Sequence, residues 1–264
     1  TLSVSSAASD VYKRQRVKHY WATDLPVNKG QSNFDEISYE YYRDRDVATE
    51  AFKSGAFDLR AENQSKRWAT AYDFPALKEG KVKKILIPHE RPTGMQGFVF
   101  NTRKVFFSDP KVRLAINYAW DFEWTNKTLM YNAYKRTSSY FSNSELSSSG
   151  TLPEGEELKI LQKFKRQVPK QVFDEVYKAP QTDGSGNNRK NLRLALKLLR
   201  EAGWAVKDGK LVNRNGIPLK FEIIIAYPSI ERLALPLKQS LKRLGIEMSI
   251  RTVDVAQYLS LINI

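Results

Sequence analysis

The sequence predicts an α/β protein in which part of the sheet is parallel. Three observations carry this expectation. Residues 219–226 form an apolar, β-branched run, 229–244 have helical periodicity stopped by Gly245, and 246–253 return to strand character, so the three together read as a βαβ unit. Asp109 followed by Pro110 puts a cap and a first-turn proline ahead of a buried helical pattern at Val112, Leu114, Ala115, Ile116, Tyr118 and Ala119, and Asp121 caps a second helix through Met130. Asp208 and Gly209, set between strand-like 204–206 and 211–212, are the strongest short turn signal in the chain and predict a hairpin.

The remaining elements follow in order. Residues 1–15 are small and polar without a usable period, and read as a tail, linker or scar with no packed role. From Arg16 the composition becomes that of a folded protein. Residues 37–42 are aromatic and β-branched enough for a strand. Asp44, Arg45 and Asp46 cap a helix over 47–53, with Gly55 as its stop. Residues 57–60 alternate as a short strand, and Trp68 and Tyr72 lie four apart in a helix over 64–71. Residues 82–87 and 96–101 read as further strands, the second with Phe98 and Phe100 on one face. The stretch 131–150, rich in Ser, Asn and Tyr, is a surface loop; 158–164 is a short amphipathic helix; 182–187 is a turn; and 188–202 is a helix stopped by Gly203.

Composition removes several kinds of chemistry. The 264 residues include no cysteine and only two histidines, His19 and His89, which excludes disulfides, thiol nucleophiles and a His-rich metal centre. No apolar run approaches the roughly 18 residues of a membrane span. The chain has neither an initiating Met nor a basic-then-apolar leader, so a signal peptide has been removed or the chain is a fragment. With 43 Lys+Arg against 29 Asp+Glu the net charge is +14, which raises nucleic-acid binding as an alternative. The basic residues are spread, however, and neither zinc-finger spacing nor an aromatic RNA-reading motif accompanies them. A hydrolase is a weaker alternative, because it needs a nucleophile–base pair or a metal set that two histidines scarcely supply. The expectation is therefore no catalytic residue, no metal ligand set and no cofactor.

Smaller motifs have bland readings. Gly184, Ser185, Gly186 and Asn187 have a glycine-rich look, but no Lys-Ser/Thr follows to hold a phosphate, so turn chemistry explains them. His89 and Glu90 are adjacent, and adjacent side chains on an extended chain point to opposite faces. Glu154, Glu156 and Glu157 suit a helix start. Asn126, Lys127 and Thr128 match a glycosylation acceptor but fall in the predicted helix.

One stretch is far more specific. Gly97, Phe98, Val99, Phe100, Asn101, Thr102 and Arg103 lead into Phe106, Phe107, Ser108, Asp109, Pro110, Lys111, Val112 and Arg113, and the pattern continues through Ala115, Ala119 and Asp121. This resembles the signature of the family 5 extracellular solute-binding proteins, the oligopeptide- and dipeptide-binding components of ABC importers. The likeness extends to Asp46–Ala48 with Asp58, to Leu194, Leu198 and Leu199 followed by Ala202, Gly203 and Trp204, and to Leu244, Gly245 and Ile246 with Tyr258. Trp68 through Pro75, and Arg136 through Phe141, resemble the subgroup associated with microcin C or oligopeptide uptake.

The resemblance implies a type II periplasmic binding protein fold of two lobes, here incomplete: 1–15 as a non-family tail, 16–95 as part of lobe one, and 96–264 as part of lobe two, with the crossing near 93–101. It implies an oligopeptide or peptide-like ligand, an inner-membrane ABC permease as partner, a periplasmic location, no nucleic acid, and a monomer for the full-length protein. Placement at strand ends and at the lobe crossing selects Glu62, Asn63, Met95, Gln96, Tyr227, Ser229 and Glu231 as ligand-binding candidates. The family's expected length also implies that this chain alone binds peptides poorly, and that strand edges near 219–226 and 246–253 favour aggregation.

Overall fold

A computed structural model describes residues 11–148 and 150–262. The chain divides into two compact units between Leu86 and Ile87. That division precedes the step expected between Met95 and Gln96, and it places both of those residues in the second unit.

The first unit opens with an antiparallel ribbon of β1 (Val11–Gln15) and β2 (Glu36–Glu40), in register from Val11 opposite Glu40 to Gln15 opposite Glu36. This corrects the expectation that 1–15 has no packed role: residues 1–10 lie outside the described residues, but 11–15 are a paired strand. Cross-strand partners supply the reason. Tyr12 faces Tyr39, the Arg14 guanidinium lies over both rings, and Lys13 pairs with Glu36 at 2.8 Å. Next comes α1 (Arg45–Lys53), whose N-cap Asp44 accepts from the backbone N–H of Asp46 and Val47. Gly55, at φ +82°, ends it. Phe52 of α1 is buried among the rings of Phe57, Tyr72 and Phe74, which forms the small core of this unit. Two short helices, α2 (Ser65–Thr70) and α3 (Pro75–Lys78), complete it.

The second unit has a larger core. Its helices are α4 (Val105–Ser108), α5 (Pro110–Ala119), α6 (Phe122–Leu129), α7 (Gly155–Lys163), α8 (Gln171–Asp174) and α9 (Arg189–Glu201). Both expected caps are present: Asp109 accepts from Lys111 N–H, and Asp121 from Trp124 N–H. A hairpin of β3 (Ala205–Lys207) and β4 (Lys210–Val212) follows, turned by Asp208 at φ +48° and Gly209 at φ +75°, the left-handed pair of a type I′ turn. The strand β5 (Lys220–Ile225), helix α10 (Pro228–Arg243) and strand β6 (Glu247–Thr252) then form the βαβ unit, with β5 and β6 parallel. The described chain ends in α11 (Val255–Ile262).

Alanine decides how closely these helices pack. Ala115 and Ala119 of α5, Ala195 of α9 and Ala234 of α10 are wholly buried, so no long side chain separates the helices there. Leu192 and Leu199 of α9, Leu237 and Leu241 of α10, and Leu219, Ile246 and Met248 beside the sheet fill the space around them. Removing each leucine from water contributes on the order of 2 kcal/mol.

Three expected strands are absent. Residues 57–60, 82–87 and 96–101 are irregular. Their alternation supplies strand propensity, but a strand exists only where a neighbour takes its backbone hydrogen bonds, and no such neighbour lies among the described residues. Val99 is 96% exposed as a result.

Gly245 is where the hairpin meets the βαβ unit. Its φ is +79°, and a Cβ there would lie 2.7 Å from the backbone N of Leu211, which itself donates to the Gly245 carbonyl at 2.8 Å. Gly209 has a similar φ, +75°, but open space around it. In urea unfolding, Gly209→Ala is expected to cost about 1 kcal/mol from backbone strain alone. Gly245→Ala is expected to cost about 3 kcal/mol, because strain and collision add. Equal losses would show that the hairpin does not press on this turn.

Candidate functional site

The seven expected residues fall in three places. Tyr227, Ser229 and Glu231 cluster where β5 passes into α10. Tyr227 is the N-cap residue, extended at φ −123° and ψ 123°, and Pro228 takes the first helical position. With the chain turned this way, Tyr227 and Glu231 lie four apart and share one side of the helix start. Tyr227 and Ser229 are exposed, and neither hydroxyl bonds to another described residue. Glu231 adds a carboxylate in the first turn, where the helix dipole favours negative charge. The arrangement offers two hydroxyls and a carboxylate at the carboxyl end of a parallel strand, a position suited to hydrogen-bonding a ligand.

Glu62 and Asn63 have different surroundings. The Glu62 side chain is 3% exposed and its carboxylate is engaged within its own unit. Oε1 accepts from the Gln64 N–H at 2.9 Å and lies 3.6 Å from Arg67. Oε2 accepts from the Tyr72 hydroxyl at 3.1 Å and lies 3.6 Å from Arg60. Arg60 in turn donates to Tyr72 Oη at 3.2 Å and to Thr49 Oγ1 at 3.0 Å, and Arg67 donates to Asp46 at 2.6 Å. Burial pushes the Tyr72 phenol up. The Arg67 hydrogen bond holds the Asp46 carboxyl below its usual range. Asp46 therefore adds stability above the ordinary carboxylate range that fades as the pH falls through its folded value, a small contribution for a side chain 87% exposed. Asn63, beside this network, is exposed. Met95 and Gln96 are exposed on irregular backbone in the second unit.

A second polar network escaped the sequence reading. Thr182 Oγ1 donates to Asp121 Oδ1 at 2.5 Å, and the Thr182 N–H donates to Glu123 Oε2 at 3.0 Å. Arg136 donates to the Pro180 carbonyl at 2.7 Å and to Asn117 Oδ1 at 2.5 Å, over the Phe122 ring. Burial pushes the Arg136 guanidinium down. These bonds fasten the turn-rich segment before α9 onto α5 and α6. Gly186 belongs to the same fastening, since a Cβ there would lie 2.9 Å from the Trp124 ring. The glycine-rich stretch is thus a turn pressed against tryptophan. Its Ser185 N–H bonds Asp183 Oδ1 at 2.9 Å. His89 accepts at Nδ1 from the Arg91 N–H, in an exposed loop.

Among the described residues no group of three His, Asp or Glu side chains is placed to hold a metal ion, and no helix is long and apolar enough to cross a membrane. A cavity of about 480 Å³ is lined by Ser185, Gly186, Asn187, Arg189, Leu192 and Arg243, none of them among the seven.

Removing the carboxylate from Glu62 leaves Arg60 and Arg67, whose side chains are 12% and 10% exposed, without their shared counter-charge. Glu62→Ala is expected to lower stability by about 3 kcal/mol. Asn63→Ala should change it by less than about 0.5 kcal/mol. Chemical denaturation of both variants checks this, and a Glu62→Ala protein as stable as the parent would mean that the two arginines do not need it.

The chain matches the bacterial extracellular solute-binding proteins, family 5 Middle, over residues 6–263. It is 49% identical over 257 residues to uncharacterized protein y4wM of Sinorhizobium fredii, which covers 96% of this chain and 39% of that one. It is 47% identical over 259 residues to the probable peptide-binding protein YejA of Agrobacterium fabrum, covering 97% and 42%. The chain therefore spans about two fifths of the length of these relatives. Among solved structures it is similar to the periplasmic oligopeptide-binding protein of an oligopeptide ABC transporter from Thermotoga maritima, with a TM-score of 0.61 and 18% identity over 94% of this chain and 41% of that one. That likeness bears on fold, and the fold is the incomplete α/β binding-protein architecture expected from the sequence. Matched over nearly its whole length, the chain belongs to the bacterial extracellular solute-binding proteins of family 5.

Proposed function

We propose that this chain is part of a periplasmic solute-binding protein that captures oligopeptides or peptide-like compounds without altering them and hands them to an inner-membrane ABC permease. The observation that carries the reading is the 47% identity, over 97% of the chain, to a probable peptide-binding protein. The free hydroxyls of Tyr227 and Ser229 beside Glu231 support it, because peptide backbones are held by such hydrogen-bonding groups at strand ends. The capture step is closure of a cleft that buries the ligand, and the working protein is a monomer. The alternatives of a nucleic-acid binder and a hydrolase have no comparable support.

A chimera tests the proposal. The chain replaces the matching segment of the Agrobacterium fabrum relative, and calorimetry with mixed short peptides is run on the chimera and the relative side by side. Both are expected to bind peptides at micromolar concentrations, and mass spectrometry is expected to recover the peptides intact. Tyr227→Ala in the chimera should weaken binding by about tenfold, the loss of one good hydrogen bond and its packing. A folded chimera that ignores peptides, or cuts them, overturns the reading.

A further inference from the structure

The positive charge of this chain is not spread evenly over the second unit. Helix α9 carries Arg189, Lys190, Arg193, Lys197 and Arg200, all exposed. At 100° per residue these five fall within an arc of about 100°, a stripe about 17 Å long on the side away from buried Leu192, Ala195 and Leu199. Among the described residues none of the five is in an ion pair, although exposed pairs form on many other elements. The one acidic residue of the helix, Glu201, is held by Lys111 at 3.2 Å. At one end of the stripe Arg189 shares the cavity of about 480 Å³ with Arg243 of α10, so the positive surface continues onto a second helix.

We propose that this stripe docks the protein onto an anionic phospholipid bilayer. Clustered Lys and Arg on one helix face are drawn to the negative potential of such a surface, and each basic group adds to the attraction. Leu194, at the edge of the stripe and 40% exposed, provides the apolar flank that such interfacial helices carry. A bilayer fits better than a single-stranded nucleic acid, because α9 has no aromatic side chain for base stacking. It also fits better than a shape-matched protein face, because the stripe is a convex row of long, flexible charges without a buried aromatic anchor. The open depression between Arg189 and Arg243, with the polar side chains of Ser185 and Asn187, adds polar groups at one end of the stripe. Docking of this kind lowers the search for a membrane permease from three dimensions to two, and it is independent of whether the solute is a peptide.

Vesicle co-sedimentation of the 264-residue chain tests the proposal. The vesicles are phosphatidylcholine alone or phosphatidylcholine with about 30 mole per cent phosphatidylglycerol. The chain should partition at least roughly tenfold better onto the anionic vesicles, and raising the salt from ~0.05 to ~0.5 M should abolish the difference. Arg193→Glu with Lys197→Glu should reduce binding to that of neutral vesicles. Lys163→Glu with Lys165→Glu, the same change of charge on exposed residues in and just after α7, should leave it within about twofold. Circular dichroism checks that the variants are folded; if the α9 reversal unfolds the chain, Arg193→Gln with Lys197→Gln takes its place and should lose most of the binding. Equal binding to both vesicles, or equal losses from the α7 and α9 reversals, overturns the proposal. So does a chain that ignores vesicles but is retained by polyglutamate or duplex DNA.

Discussion

The larger unit depends on how closely α5 and α9 approach. Ala115, Ala119 and Ala195 are fully buried at their contact, so any larger side chain there must push the helices apart. Their position fixes much else. The C-terminal end of α9 runs through Gly203 into the hairpin, and the hairpin backbone lies against Gly245 at the turn into β6. Asn188, just ahead of α9, donates to the Tyr118 and Ala119 carbonyls at the end of α5. Moving α9 away from α5 therefore disturbs both the loop before it and the βαβ unit after it. The strand end that carries Tyr227 belongs to that βαβ unit, so its placement rests on the same alanines.

Charge is managed differently in the two units. In the first, Glu62 is surrounded by Arg60, Arg67 and Tyr72, and nearly all of its hydrogen-bonding capacity is used inside the fold. A carboxylate so engaged must exchange existing partners before it takes up a ligand ammonium. In the second, Tyr227 and Ser229 are uncommitted, and the basic residues of α9 lack intramolecular partners among the described residues. Uncommitted polar groups of the second unit therefore include those at the start of α10 and on the exposed side of α9.

Local signals were legible in the sequence, and nonlocal ones were not. Asp44, Asp109 and Asp121 cap helices where their sequence context places them, because a cap needs only the next few backbone N–H groups. The Asp208–Gly209 turn was readable for the same reason, and the parallel order of β5 and β6 because a helix between two strands brings the chain back in the same direction. The strand character of 82–87 and 96–101 was misleading because pairing depends on residues far along the chain. The opposite error occurred at Val11–Gln15, where low-complexity neighbours hid a strand whose partner lies about 25 residues away. Among the candidates, the exposed edge at Tyr227 followed from its position after an apolar strand. The burial of Glu62 did not, since it is made by Tyr72 and Arg67 folding back from the following helix and turn. The Asp121–Thr182 bond joins residues 61 positions apart and left no local trace at all.

We propose that ligand meets this chain at the carboxyl end of β5. A photo-crosslinking peptide carried by the chimera with the Agrobacterium fabrum relative tests it most directly. The label is expected on the tryptic peptides that span 227–231. Labelling confined to α9, or spread over the surface without regard to competing unlabelled peptide, would contradict the claim.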